Sequence, residues 1–428
     1  MQKRNWFAPI FALLLLGLLV WGLGRLVRPK YASGITLEGS MVENWYAHKD
    51  QDHQVLFIGD CEVYESFSPV TLFNEFGATS YIRGSAQQLM WQSYYLLREA
   101  LKTQSPRAVV LSICSLRYAE PQSEAYNRMT LDGMRLGREK FEAVRASLLP
   151  EESELSYYVP LLRYHDRIFE LTGEDARYML RGPELTYNGY LMRTEQVPYT
   201  RLPSAPVLKD ASFGEKPVAY LDRIVDLCRE KGIELILIKS PCLYPAWYEE
   251  WDRWLEDYAE RNGVEYINAI PRMEEMGIDL GTDTYDGGIH LNVYGAEKYT
   301  RWLGQHLADR GSSRISGWTR SWRPDTTILV GDTNRRNREG GQRTDEHKYA
   351  DRDHPPGGAA APLMGLRRLG SAGPEAGRGL SGPQRSGGPP EHRGASAPGG
   401  GRPGGHGGGA AVGGGTGRGA GAGPGAVF

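Results

Sequence analysis

The sequence predicts an α/β fold in three layers, a parallel sheet covered by helices on both faces. Three observations predict it. Short, nearly unbroken apolar runs recur and stop at turns: Val55-Leu-Phe-Ile58, Ala108-Val-Val-Leu-Ser-Ile113, Ile233-Glu-Leu-Ile-Leu-Ile238 and Val264-Glu-Tyr-Ile267. Strands of a parallel sheet have this pattern because both of their faces are buried. Helical stretches alternate with them, over 87–102, 217–231 and 247–262, the last two closed by Gly232 and Gly263. Aromatic residues are dense, with 24 Tyr, 10 Trp and 10 Phe, and almost all precede residue 325, which places the packed core there.

The elements follow in order. Met1-Gln-Lys-Arg4 leads into a run over 6–27 whose only charge is Arg25. At a rise of 1.5 Å per residue, about 20 apolar residues cross a hydrocarbon core of about 30 Å. An uncleaved transmembrane anchor is therefore expected at 6–27. A cleaved signal peptide is the alternative, although no small-x-small site follows the run cleanly. Lys3 and Arg4 stand on one side of it and Arg25, Arg28 and Lys30 on the other, so charge alone leaves the orientation open. Residues 28–52 read as a polar linker and 53–309 as the folded domain. Within that domain, 120–206 is polar, Tyr-rich and mostly helical, and is expected as an insertion or lid on the functional edge of the sheet, with a separate small domain as the alternative. From 310 to 428 Gly, Pro, Ala and Arg dominate and Lys348 is the only lysine. That composition buries too little apolar surface to offset chain entropy, so a disordered tail is expected. The abrupt switch to residues with GC-rich codons also fits a shifted reading frame.

Composition excludes several functions. The net charge of -2 gives no global field for nucleic acid, and no basic groove with interleaved aromatics occurs, so no nucleic-acid partner is expected. There is no P-loop, no Gly-x-Gly-x-x-Gly after a strand, no His-Glu-x-x-His and no calcium loop, so neither cofactor nor metal is expected. The four cysteines, Cys61, Cys114, Cys228 and Cys242, show no Cys-x-x-Cys spacing, which argues against a zinc ribbon or a thioredoxin motif.

Two segments carry candidate chemistry. In Val55-Leu-Phe-Ile-Gly-Asp-Cys-Glu-Val-Tyr64 a buried strand ends in Gly-Asp and then a nucleophilic side chain. This places Cys61 at the carboxyl edge of the sheet, where open α/β folds build their sites. Its own N–H there can face a developing oxyanion. In Asp283-Thr-Tyr-Asp-Gly-Gly-Ile-His290 a carboxylate precedes a histidine on one loop, an order that fixes the imidazole to act as a general base. Asp286 is the first choice for that carboxylate and Asp283 the second. Asp60 is expected to brace the turn and Glu62 to lie on a solvated face, with a role as base as the alternative. Cys61, Cys114 and Cys242 all follow strands and so share one edge; a disulfide between two of them, or an inert thiol, competes with the nucleophile reading of Cys61. His53 and His165 are expected as core or surface groups. Trp247, Trp251 and Trp254 suit sugar stacking, but their helical spacing favours the core.

These segments resemble the SGNH/GDSL hydrolase superfamily over residues 53–309. Gly59-Asp60-Cys61 looks like its first block, with Cys in the place of the nucleophilic serine. Arg83-Gly84-Ser85 looks like the second block, whose glycine N–H lines the oxyanion hole, and His290-Leu291-Asn292 with Gly295 and Lys298 looks like the last. The resemblance implies a flavodoxin-like three-layer sheet and a Cys61-His290-Asp286 triad with Cys61 and Gly84 in the oxyanion hole. Three departures stand against it. Position 61 is not serine, the family's aspartate position three before His is Gly287, and no Gly-x-Asn-Asp block follows the strand ending at Ile113. Ser115, Arg117 or Asn127 remain as candidates for that last oxyanion role.

With the anchor, the resemblance narrows to the DltD and AlgJ/AlgX-like branch. It then implies a single-pass protein of the cell membrane with its domain outside the cell. Such a protein is expected to be an esterase or O-acyltransferase on an envelope polysaccharide, partnered by the lipid bilayer, a membrane-bound O-acyltransferase and a glycan polymer. A catalytically inactive accessory subunit of such a system is the alternative.

Overall fold

A computed structural model describes residues 7–29, 40–181, 187–201 and 204–310. The expected tail beyond 310 lies outside the described residues, as does the linker stretch 30–39. Five parallel strands form one sheet: β1 (Val55–Gly59), β2 (Ser80–Gly84), β3 (Ala108–Ser112), β4 (Glu234–Lys239) and β5 (Glu265–Asn268), in the order β2-β1-β3-β4-β5. The mixed α/β, parallel-sheet class expected from the sequence is the one observed. From β1 the chain turns first to one side, to β2, and then to the other, to β3. The carboxyl ends of β1 and β3 therefore flank the switch point at which such sheets hold ligands.

The helices, in chain order, are α1 (Phe7–Val27), α2 (Ser40–His48), α3 (Cys61–Tyr64), α4 (Pro69–Phe76), α5 (Met90–Ala100), α6 (Glu124–Leu131), α7 (Arg138–Ser147), α8 (Leu161–Tyr164), α9 (Gly173–Arg181), α10 (Glu215–Lys231), α11 (Glu249–Asn262) and α12 (Val293–Arg310). Alternation along each strand sends Phe57 to one face and Leu56 and Ile58 to the other. Phe57, Ile236 and Ile238 pack with Tyr64, Phe67 and Tyr299 on the side of α3, α4 and α12. Leu56, Ile58 and Leu111 pack with Leu221, Ile224 and Leu255 of α10 and α11. A third cluster around Trp91, Leu131 and Val144 joins α5 to α6 and α7.

Two elements depart from the expectation. Strand β2 was not anticipated, because Ser80 and Arg83 break its apolar pattern. Arg83 is nonetheless 1% exposed. Its Nη1 donates to the Leu96 carbonyl at 2.7 Å, its Nη2 pairs with Glu99 at 2.8 Å, and the guanidinium lies over the Trp45 ring. The second departure is α2, which occupies part of the expected linker and buries Met41, Val42 and Trp45.

The expected insertion is helical from α6 to α9. Residues 187–201 then run without helix along the outer edge of β2, where Asn188 O accepts from Ile82 N and Asn188 Nδ2 donates to Ser80 O. The same segment continues onto the loop that carries His290, bonding at Val197, Tyr199 and Arg193.

α1 has 21 residues with a mean hydropathy of 2.3, long and apolar enough to cross a membrane by length and composition. Most of its surface is exposed, and only Gly24 and Val27 near its end are buried. The Trp247 to Trp254 stretch packs on itself and on Phe213, with Trp251 8% exposed, as a core element does.

Candidate functional site

Gly59, the last residue of β1, has φ +149°, and a Cβ there would come 2.5 Å from Ser112 Cβ on β3. Only glycine suits that conformation and that approach. Asp60 follows and caps α3: its Oδ1 accepts from Glu62 N at 3.2 Å and from Ser112 Oγ at 3.0 Å. The expected bracing role is what its bonds describe. Burial, reinforced by the neighbouring Glu62 carboxylate, pushes the Asp60 carboxyl up to about 6.

Cys61 opens α3 and is partly buried. Burial pushes its thiol well above the usual range, and Asp60, Glu65, Cys114 and Glu62 add to the shift. Cys61 and Cys114 each follow their strand into a helical turn, past the last β1–β3 pair, Ile58 opposite Leu111. All four cysteines are nevertheless free thiols, so the disulfide alternative is not realised.

Glu62 departs from the expectation of a solvated face. It is 2% exposed, and its Oε1 accepts from Lys239 Nζ at 2.6 Å while its Oε2 accepts from Ser240 N at 3.2 Å. Lys239 is itself fully buried and also donates to the carbonyls of Ser240 and Cys242. Both carboxylate oxygens of Glu62 are thus engaged, and the pair ties the end of β4 beneath α3. The reason sequence misleads here is that β4 delivers an unforeseen buried cation.

Gly84 ends β2 opposite Gly59, with Tyr64 and Val63 of α3 packed on its Cα; a Cβ would lie 3.0 Å from Tyr64 Cδ1. Ser115 is buried in the turn after β3. Arg117 in the same turn donates to the Tyr118 hydroxyl and stacks on that ring, while its Nε is buried without a partner. Asn127 is committed elsewhere: its Nδ2 donates to the Ser147 carbonyl and its Oδ1 accepts from Gln92. It braces α6 against α5 and α7, with no free amide to offer an oxyanion.

On the second segment the structure chooses between the two aspartates. Asp286 Oδ2 lies 2.6 Å from His290 Nδ1, and its Oδ1 accepts the His290 main-chain N–H at 2.8 Å. Gly287 and Gly288, at φ +81° and +98°, turn the chain tightly enough for a carboxylate four residues back to reach both nitrogens. This is how the longer spacing is accommodated. Asp283 instead takes Lys298 Nζ at 2.6 Å and Asp279 N at 2.7 Å, and so holds the loop to α12. Asn292 fastens the same loop through Glu195 and Thr282 carbonyls.

Glu65, just past α3, is the residue that sequence reasoning missed. It is 1% exposed, its Oε1 accepts from Tyr285 OH at 2.9 Å and its Oε2 lies 3.5 Å from His290 Nδ1. Tyr285 stacks on His290 with an interplanar angle of 13°, and Arg193 lies over the other neighbour of that stack, the Tyr285 ring. The signal available in the sequence was a carboxylate four residues after Cys61. That spacing returns to the same side of a helix.

Burial acts to lower the basicity of His290, but the Glu65 carboxylate and the bonded Asp286 outweigh it and raise its pKa to about 9. The imidazole is therefore charged at neutral pH. Among the described residues no hydrogen bond joins Cys61 Sγ to His290; the link between the two segments runs through Glu65 and Tyr285. The arrangement holds a protonated imidazole by two carboxylates at the carboxyl edge of the sheet, while the Cys61 thiol is also held protonated. Proton donation by His290 is available at neutral pH, and proton acceptance only after it deprotonates. His53 is a core residue, hydrogen-bonded to Gln104, and burial pulls it down to about 4, whereas His165 is exposed.

Among the described residues no group of three or more His, Cys, Asp or Glu is arranged to hold a metal ion. No protein-family model matches the chain. No curated protein matches it either. Solved structures do show similarity. A GDSL-like lipase from Bacteroides thetaiotaomicron is 13% identical, over 64% of this chain and 100% of its own, with a TM-score of 0.30. A protein described as a lipolytic member of the G-D-S-L family, from Desulfitobacterium hafniense, is 10% identical over 59% of this chain and 97% of its own, with a TM-score of 0.30. At these identities and scores the likeness carries no argument about the site, which rests on the geometry above.

Proposed function

We propose that the chain is an SGNH-like acyl esterase or O-acyltransferase, anchored by α1 with its α/β domain outside the cell, acting on an envelope polysaccharide. The observation that carries this reading is the His290–Asp286 pair, bonded through both His290 nitrogens of the main chain and ring at the mouth of the sheet's switch point. In the reaction, which starts from neutral His290, Cys61 Sγ attacks the ester carbonyl and its proton passes to His290. The acyl-thioester then forms as His290 returns the proton to the leaving alkoxide. A sugar hydroxyl, or water, completes transfer or hydrolysis. Asp286 orients His290, Glu65 stabilises its charged form, and the N–H groups of Cys61 and Gly84 receive the oxyanion. The bilayer, a membrane-bound O-acyltransferase that supplies the acyl group and the glycan are the partners this reading requires. Burial of Gly24 and Val27 against the folded domain supports an anchor that stays attached, since a cleaved leader does not form part of the packing.

A second reading, an inactive binding or accessory subunit, is favoured by a specific observation: the Cys61 thiol is raised, not lowered, by its surroundings. Nucleophilic cysteines ordinarily sit where the thiolate is stabilised. One experiment separates the two. Full-length protein in detergent is labelled with a thiol-reactive acyl probe from pH 6 to 10, alongside Cys61→Ala and His290→Ala. The enzyme reading expects slow labelling at neutral pH that climbs steeply on the alkaline side and disappears in Cys61→Ala. It also expects at least a tenfold loss, about 1.4 kcal/mol, in His290→Ala. Labelling indifferent to His290 leaves the binding reading.

A further inference from the structure

The segment that packs around the exit of α1 exposes several large apolar side chains. We propose that α8, the 3-10 turn after it and α9 form a lipid-facing surface that lies in the membrane interface beside the anchor; this rests on the reading of α1 as membrane-spanning.

The argument starts from height. Phe7 to Gly24 is a rise of about 26 Å along a helix, close to the thickness of a hydrocarbon core of about 30 Å. Gly24 therefore marks the boundary at which α1 leaves the membrane. Pro160, which leads into α8, sits against that glycine, with its Cδ 3.4 Å from where a Cβ would be, and the Leu161 backbone is 3.8 Å away. One turn further out, Arg167 Nη1 donates to the Val27 carbonyl at 2.6 Å. α9 is held to the same corner by Tyr178, whose hydroxyl bonds Glu43, the carboxylate that also pairs with Arg25 and Arg28. Asp175 accepts from Thr172 and Arg167 and so fixes α9 to the turn before it.

On this braced segment Phe169 is 91% exposed, Leu180 81%, Leu162 53% and Ile168 46%. Four large apolar groups on 19 consecutive residues, at the level where a membrane's acyl chains begin, match an interfacial amphipathic segment. Formal charges over 160–181 balance, with four arginines against two aspartates and two glutamates. Binding there is thus expected to follow buried apolar area, with no requirement for anionic lipid. Lipid is the occupant because α8, the turn after it and α9 all pack against the end of α1, an apolar helix whose surface is otherwise mostly exposed.

The test uses full-length protein reconstituted in phosphatidylcholine vesicles, in a Cys61→Ala background that leaves three buried thiols. Nitroxide labels are placed singly at Phe169→Cys, Leu180→Cys, Leu15→Cys within α1, and Val207→Cys, an apolar site 90% exposed elsewhere. Collision rates with oxygen, enriched in lipid, and a water-soluble nickel chelate, excluded from it, report depth. The expected result is lipid-like depth at 15, 169 and 180 and water-like depth at 207. Water-like labels at 169 and 180 with a lipid-like label at 15 overturn this inference alone, while a water-like label at 15 overturns the anchor on which it rests. Labels at 169 and 180 shielded from both reagents overturn it in favour of a protein covering that face.

Discussion

At the scale of single residues, the site turns on how His290 holds its proton. Two carboxylates face it, one bonded and one 3.5 Å away, and their sum exceeds the cost of burying the charge. The His290 ring resonances are expected to titrate near pH 9 by NMR. Glu65→Gln is expected to bring the midpoint down by on the order of one unit, because it removes a charge and keeps the shape. A midpoint unchanged in that variant would mean Glu65 does not govern the imidazole. Much of this was legible from Asp286-Gly-Gly-Ile-His290, where a carboxylate and a histidine on one glycine-rich loop already name a pair. Glu65 was not, because its role arises only when the short helix α3 sets it against a loop more than 200 residues later in the chain. Glu62 was misjudged for the same kind of reason: its partner Lys239 closes a strand whose interior is apolar, and only the fold buries the two together.

At the scale of elements, strands β1, β3, β4 and β5 stood within a residue or two of where the apolar runs put them, since a run buried on both faces has few other places to go. β2 was hidden by Arg83, whose charge is satisfied by Glu99 and the Leu96 carbonyl, neither of which a local pattern predicts. α2 was hidden by polar neighbours that outnumber its buried Met41, Val42 and Trp45. The junction of β1 with β3 is tight where Gly59 meets Ser112. Gly59→Ala forces a Cβ to within 2.5 Å of Ser112 in a conformation L-residues avoid. A loss of roughly 2 kcal/mol or more is expected, read as a lower urea midpoint, and with it displacement of Asp60 from Ser112. A variant as stable as the parent would show that β1 and β3 separate at little cost.

For the molecule as a whole, the titrating groups set a pH profile. His290 is raised from an ordinary 6.5 to about 9, so its contribution is complete below pH 6.5 and is lost as pH climbs toward 9. His53 is lowered to about 4 by burial, so its contribution is complete above 6.5 and is lost as pH falls toward 4. Lys140, brought down to about 8 by burial, adds stability only above that pH and leaves the interval from 6.5 to 8 to His290. Asp60, raised by burial to about 6, opposes His53 over the acid interval, so the clean test lies above it: urea midpoints are expected to fall between pH 6.5 and 8 in the parent protein, with that fall flattened in His290→Ala, and a parent profile level over that interval would contradict the charged imidazole. A last consequence concerns β2, the border strand of the sheet. Two of its outward backbone groups, Ile82 N and the Ser80 carbonyl, are already bonded to Asn188, so the 187–201 segment works as a selvedge along an edge that would otherwise accept a strand from a neighbouring molecule. The same ribbon then continues to Val197 and Tyr199 against the His290 loop. Solubility and the shape of the site are thereby stitched with one thread: a sequence change that loosens that segment frays both at once.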